Sequence, residues 1–369
     1  MEMVTDPSAV GMICLSIEAV KLASMQQCQK NNIFNPLMNN CMVNGFKALL
    51  FVTVTGIMAA SCVKGDNPIQ RYEDPRNQGQ GGVPVLGPGW SKVTIPLNSY
   101  DVVFVNDTLG FLASFRDGVY RSTNGGETWT RTNAQKSDYV NLFFLNEKYG
   151  WAVSVTKDIA KTTDSGKTWA TTNTSYEFRD VFFRDENNGY ASTYQGLIKT
   201  TDGGVTWALV PNAPKDVTSV YFIDEQNGFC GTEANGYRQT TDGGSSFTPV
   251  NGLPNEVFTT QFFKGTDAQK GVVVGSDGYV NKTTNNGATW TKGPKIKGDY
   301  FDFNFKDIDN GFVMTINNVF KVEGNTVTNV LFRPAADRNV HFWECDFNAD
   351  LTRGWVVYNG GELYRYVKP

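Results

Sequence analysis

Five segments share a pattern of oxygen-bearing side chains and glycines that could bind a metal or cut a glycoside. They read STNGGETW at 122–129, TTDSGKTW at 162–169, TTDGGVTW at 200–207, TTDGGSSF at 240–247 and TTNNGATW at 283–290. Asn124, Asp164, Asp202, Asp242 and Asn285 hold the same place in each. A metal or catalytic centre needs such groups to converge, whereas one per repeat spreads them apart. Turn chemistry explains the pattern without a ligand. The Asp or Asn side chain accepts hydrogen bonds from turn N–H groups, and the glycine adopts a conformation that a Cβ resists. The closing aromatic, Trp129, Trp169, Trp207, Phe247 or Trp290, packs beneath. All ten residues are therefore expected to be structural.

Other acids stand between the repeats. An inverting glycosidase pair, its carboxyls about 6.5–9.5 Å apart, would have to be drawn from Asp138, Glu177, Asp216, Glu256, Asp299 and Asp337. The single histidine, His341, lies beside Trp343 in HFWECDF, where packing is expected. One imidazole does not make a His-rich metal site. No catalytic residue, metal or cofactor is assigned.

The elements that position these groups repeat with them. Glycine followed by an aromatic or aliphatic residue recurs at Gly110, Gly150, Gly189, Gly228, Gly271, Gly311 and Gly354, at intervals of 39–43 residues. A phenylalanine precedes each: Phe104, Phe144, Phe183, Phe222, Phe263, Phe305 and Phe347. Polar turns between them make each unit open with a β-hairpin, and four short strands per unit make a propeller blade. The pattern predicts an all-β, single seven-bladed propeller over 89–369. The seventh unit lacks a fourth strand, and residues 89–96, GWSKVTIP, carry a Trp and alternation that suit them to join blade seven and close the ring. Cys230 and Cys345 then lie three blades apart and no disulfide is expected.

The N-terminal residues differ in kind. Residues 49–60, LLFVTVTGIMAA, form an apolar run too short to span a bilayer, with Lys47 before it and Ser61-Cys62 after it. Ala59, Ala60 and Ser61 leading into Cys62 resemble a lipobox, although Ala59 stands where Leu is usual; a plain secretory signal is the alternative. Met42 would start a normal signal, residues 42–61, which makes 1–41 an over-long gene start or an unstructured or helical extension. Residues 62–88 read as the lipid anchor and a Gly/Pro/Asn/Gln-rich linker. The expected location is the bacterial outer membrane, periplasmic or surface-exposed, with the membrane reached only through the lipid on Cys62.

Residues 89–369 resemble the photosystem II stability/assembly-factor family of Asp-box propellers, whose blades carry the TTDGGxTW turn and the N-G-[FWY] hairpin. That resemblance implies a non-catalytic protein that binds protein through a basic patch on one face. Tandem Asp-box endoglucanases are also similar and imply the alternative, a glycoside hydrolase or lectin-like carbohydrate-binding protein. A formal charge of −4 and a pI near 5.3 argue against nucleic acid. The expected partner is a protein or glycan of the cell envelope, and the domain is expected to be monomeric. The connections between blades hold nine basic and seven acidic residues. Their cationic part, Lys295, Lys297, Arg333 and Arg338, is the expected binding face.

Overall fold

The computed structural model describes residues 84–96, 98–233, 235–263, 270–298, 300–333, 342–358 and 361–369. All belong to one compact unit, Glu73–Pro369. Every regular element among them is a β-strand, arranged in seven antiparallel sheets. Blade one shows the plan: strand A, Ser99–Phe104, is followed by B, Gly110–Ser114, C, Gly118–Ser122, and D, Thr130–Arg131, each paired with the one before. The A strands of successive blades lie against one another all the way round, so they form the inner ring of a seven-bladed propeller.

The recurrent glycine and phenylalanine fasten one blade to the next. Phe104 lies over Gly110 of its own blade, where a Cβ would collide with its ring. Its other face takes Trp355, the residue after the glycine of blade seven, at 3.6 Å between centroids and 5° between planes. The same stack joins Phe111 to Phe144 (4.3 Å), Trp151 to Phe183 (3.7 Å), Tyr190 to Phe222 (3.8 Å), Phe229 to Phe262 (5.0 Å) and Phe312 to Phe347 (4.0 Å). In blade five the stacking ring is Phe262, which pairs with Gly271, and not the expected Phe263. The spacing from this phenylalanine to its glycine is nine residues there, against six in blades one to four and in blade six. Blade five also offers Val272 in place of an aromatic, packed in one apolar cluster with Phe305. Each aromatic stack contributes about 0.5–1.5 kcal/mol beyond the area it buries.

Polar staples accompany the stacks. A side chain of one A strand accepts a backbone N–H of the next: Asp101 from Leu142 (2.6 Å), Asn141 from Val181 (3.2 Å), Asp180 from Val220 (2.9 Å), Gln261 from Phe305 (2.8 Å), Asp302 from Cys345 (3.1 Å) and Asp346 from Phe104 (2.5 Å). Between blades four and five the Tyr221 hydroxyl donates to the Phe262 carbonyl instead (3.2 Å). Cys230 and Cys345 are buried free thiols on different blades.

Closure uses two strands from the N-terminal side. Trp90–Thr94 pairs with Glu362–Val367 as the outermost strand of blade seven. Trp90 meets Phe347 edge-on at 6.3 Å, the place Trp129 takes against Phe104 in blade one. The short strand Val85–Leu86, placed by sequence in the linker, pairs with Phe332 and Leu331 as a fifth strand of blade six. The incoming chain thus clasps blades six and seven together.

Two outcomes follow. Deleting residues through 83 should leave the melting temperature unchanged, while deletion through Pro96 should lower it by about 5 °C or more or cause aggregation, because it strips both blades of an outer strand; equal melts would contradict the clasp. At the blade seven to blade one junction, burial, reinforced by the charge of Asp302, pushes Asp346 up to about 7. Ionisation is thus disfavoured in the fold, and this group's contribution to stability falls as pH rises from the ordinary Asp range through about 7. Asp346→Asn keeps an acceptor for the Phe104 N–H, as Asn141 does for Val181. It should raise the melting temperature relative to wild type at about pH 8 and change it little at about pH 4; an equal change at both would refute the linkage.

Candidate functional site

The Asp-box side chains are fully engaged in their own turns. Asp202 accepts from the Thr206 N–H (2.9 Å), the Thr206 hydroxyl (2.6 Å) and the Thr200 hydroxyl (2.8 Å), while Thr200 Oγ1 accepts the Gly204 N–H (3.0 Å). Asp164 and Asp242 make the same set, and Asn124 and Asn285 accept the corresponding N–H at 3.0 Å. Hydrogen bonds from Thr206 hold Asp202 down to about 2, and those from Ser246 do the same for Asp242. Gly203 and Gly204 take φ of +75° and +95°, which the tight turn requires. Trp129, Trp169, Trp207 and Trp290 sit edge-on to the stacked phenylalanines, and Phe247 lies in the corresponding cluster of blade four.

These turns share one end of the ring with the A–B hairpins, to which they bond: Gly125 N–H to Thr108, Ser165 to Lys148, Gly203 to Asn187 and Gly243 to Gln226. Cations just before the Asp-box, which the sequence reading passed over, also tie blades together at this end. Arg121 donates to the Ser165 carbonyl (2.9 Å), Lys161 to the Glu186 carbonyl (3.1 Å), Lys282 pairs with Asp309 (2.7 Å) and Arg365 with Glu127 (3.3 Å). Their recurrence at one repeat position was the available signal.

The opposite end, formed by the D–A connections and B–C turns, is built differently. In every A strand the pairing skips one residue near its start: Tyr100, Val140, Arg179, Thr218, Phe258, Phe301 and Trp343. A β-bulge re-aims the side chain it carries and is over-represented next to functional sites. Seven bulges at one level form a collar at the D–A mouth of the ring. The residue there is Tyr, Val, Arg, Thr, Phe, Phe and Trp in blades one to seven, while the residue four positions on is phenylalanine in all seven. Tyr100 and Trp343 meet edge-on at 4.8 Å. Arg179 lies 4.1 Å over the Tyr194 ring and pairs with Glu233 at 2.8 Å. Five of the eight non-glycine residues with left-handed backbone among the described residues lie at this end, Asn98, Arg116, Lys157, Asn212 and Asp216, and the other three, Ser165, Asn286 and Leu351, at the Asp-box end.

Charge at this end is balanced more closely than the D–A connections alone indicate, because acids of the B–C turns and C strands answer their cations. Arg131 and Lys136 pair with Asp117, Lys292 with Asp277 and Arg179 with Glu233. Burial raises Asp138 against the opposing charge of Arg116, and raises Glu256. Glu233 is raised by burial, relieved by Arg179 and reinforced by Asp216 and Glu256. Of the expected cationic patch, Lys295, Lys297 and Arg333 are described. Lys295 and Lys297 are exposed on blade five, with Lys295 5.0 Å over the Tyr279 ring. Arg333 is withdrawn, 11% exposed, paired with Glu362 (3.2 Å) and lying 4.1 Å over Tyr358. Arg338, Asp299, Asp337, His341 and the lipobox Cys62 lie outside the described residues.

The family model described as photosynthesis system II assembly factor YCF48 matches residues 86–177, spanning blades one and two. Over that quarter of its length the chain is similar to the YCF48 family, and its ring is an Asp-box propeller. No curated protein matches the sequence. Among solved structures, YCF48 bound to D1 peptide superposes with a TM-score of 0.59 at 16% identity, covering 76% of this chain and 97% of that one. YCF48 from Cyanidioschyzon merolae gives 0.59 at 18%, covering 76% and 98%. The GH74 enzyme of Niastella koreensis gives 0.60 at 18%, covering 74% of this chain and 52% of that one. At these identities the likeness is one of fold.

If the Asp-box serves the turn alone, Asp202→Asn should leave the melting temperature near wild type at neutral pH, since Asn124 and Asn285 do the same task, whereas Asp202→Ala should lower it. A stable Ala variant that loses partner capture would instead make this carboxylate part of the binding surface.

Proposed function

We propose that this YCF48-like propeller is a non-catalytic binding domain, tethered through Cys62 to the bacterial outer membrane, that holds a protein partner at its D–A mouth as an assembly or scaffold factor. The bulged collar carries this reading. Elsewhere the repeats reuse the same residue types to build the ring, but the bulge residues vary: Tyr100 and Trp343 are buried edge-on against each other and Arg179, 11% exposed, is held by Glu233 and Tyr194, so this end is where the blades differ. The YCF48 structure with a bound D1 peptide supports a polypeptide partner. The exposed pair Lys295 and Lys297 adds a steering charge, screened over about 8–10 Å at physiological salt.

A second reading, glycoside hydrolysis, draws on one observation: Asp138, Glu233 and Glu256 are all raised at this mouth, and a raised acid beside an ionised one is how such enzymes divide acid and base roles.

Pull-down from solubilised membranes with the full chain separates the two. Val140→Arg/Thr218→Arg, which crowds the collar, should abolish capture of a stoichiometric protein, Lys295→Glu/Lys297→Glu should reduce it, and Lys167→Glu on the opposite end should not. Undiminished capture by a folded collar variant would overturn the protein-binding reading. Oligosaccharide turnover that Glu256→Gln eliminates would establish the second. Fatty-acid labelling that persists in Cys62→Ala would overturn the tether.

A further inference from the structure

Blade four departs from its six sisters at one place, and a groove opens there. In the other blades the residue two before the Asp-box Ser/Thr or its equivalent is Tyr120, Ala160, Ile198, Asn281, Phe320 or Tyr364; in blade four it is Arg238. The next residue, an Arg or Lys in the other six blades that reaches the following blade in four of them, is Gln239. Successive residues of a strand face opposite sides, so the cation has moved from the blade five side to the blade three side. The blade four C strand is also short, Arg238–Thr240, and its Asp-box ends in Phe247 where the others have the bulkier Trp.

The result is a cavity of about 310 Å³ lined by Asn212, Pro214 and Lys215 from the connection after blade three and by Asn235, Arg238 and Phe247 of blade four. Asn212 is held in the left-handed region at φ 63°. Arg238 Nε donates to the Asn235 carbonyl at 2.9 Å, which anchors the guanidinium and leaves its Nη groups as donors. A guanidinium fork, an ammonium and two carboxamides around an apolar wall of Pro214 and Phe247 match a planar carboxylate on a short aliphatic stem.

We propose that this groove binds a carboxylate of the partner polypeptide, an acidic side chain or a chain end. The proposal rests on the protein-binding reading above and names the partner's chemistry at a second point on the same end of the ring. Three fluorescent peptides test it on the full chain by anisotropy: one of alternating Gly and Glu with both ends capped, its Gln counterpart, and the Gln peptide with a free C-terminal carboxylate. The capped Gln peptide should bind about tenfold more weakly than at least one of the others, and which one binds identifies the carboxylate's source. Arg238→Gln and Lys215→Gln should each remove most of that difference. Arg238→Tyr, the residue of blades one and seven, should remove it with the melting temperature kept. Equal binding of all three peptides, retention of the preference in folded Arg238→Tyr, or binding of inorganic phosphate without any carboxylate peptide would overturn the proposal. The collar variant should keep the peptide preference; groove variants that bind peptides normally while the collar variant loses membrane capture would refute the groove and leave the protein-binding reading standing.

Discussion

Each blade of this ring is held to the next by a side chain of its second strand laid against its neighbour's inner-strand phenylalanine, and that contact dictates most of the sequence around it. The phenylalanine needs a glycine beneath it, as Gly110 serves Phe104, because a Cβ would occupy the ring's place. Trp151 and Trp355 then spend their indole N–H groups on Gly203 and Gly125 carbonyls of the following Asp-box, so the turn is fixed by the stack as well as by its own Asp or Asn. The edge-on Trp seals the stack from outside. Binding chemistry is left to whatever the stack does not claim, which is the D–A end.

Repetition made the architecture legible in the sequence. Because the stacking pair must recur once per blade, its spacing counted the blades, and the missing fourth strand of the last unit pointed to residues 89–96 as the closing strand. Trp90 then occupies the Asp-box Trp position by the same edge-on contact. Two errors had local causes. A lengthened hairpin made Phe263 look like the stacking residue when Phe262 pairs with Gly271, and the two-residue strand Val85–Leu86 is too short to rise above a linker composition.

The candidate site was less legible because it consists of differences between repeats. Counting charges along the D–A connections gave a cationic face, but Arg333 is taken up by Glu362 and Tyr358, Arg131 and Lys136 share Asp117, and Lys292 pairs with Asp277 from the B–C turns. The bulge position, Tyr100 through Trp343, shows no motif at all, and its meaning comes from a register skip that only pairing reveals. Arg238 could have been found by aligning the seven units on the Asp-box threonine and asking which charge moved.

The central claim is that the repeated end builds the ring and the divergent end meets the partner. Site-specific photocrosslinking in cells tests it without knowing the partner. A photoreactive residue at exposed Asn212, on the D–A end, should yield a discrete adduct with a protein, and one at exposed Gln226, in an A–B hairpin at the Asp-box end, should yield none. An adduct from position 226 with none from 212 would contradict the account.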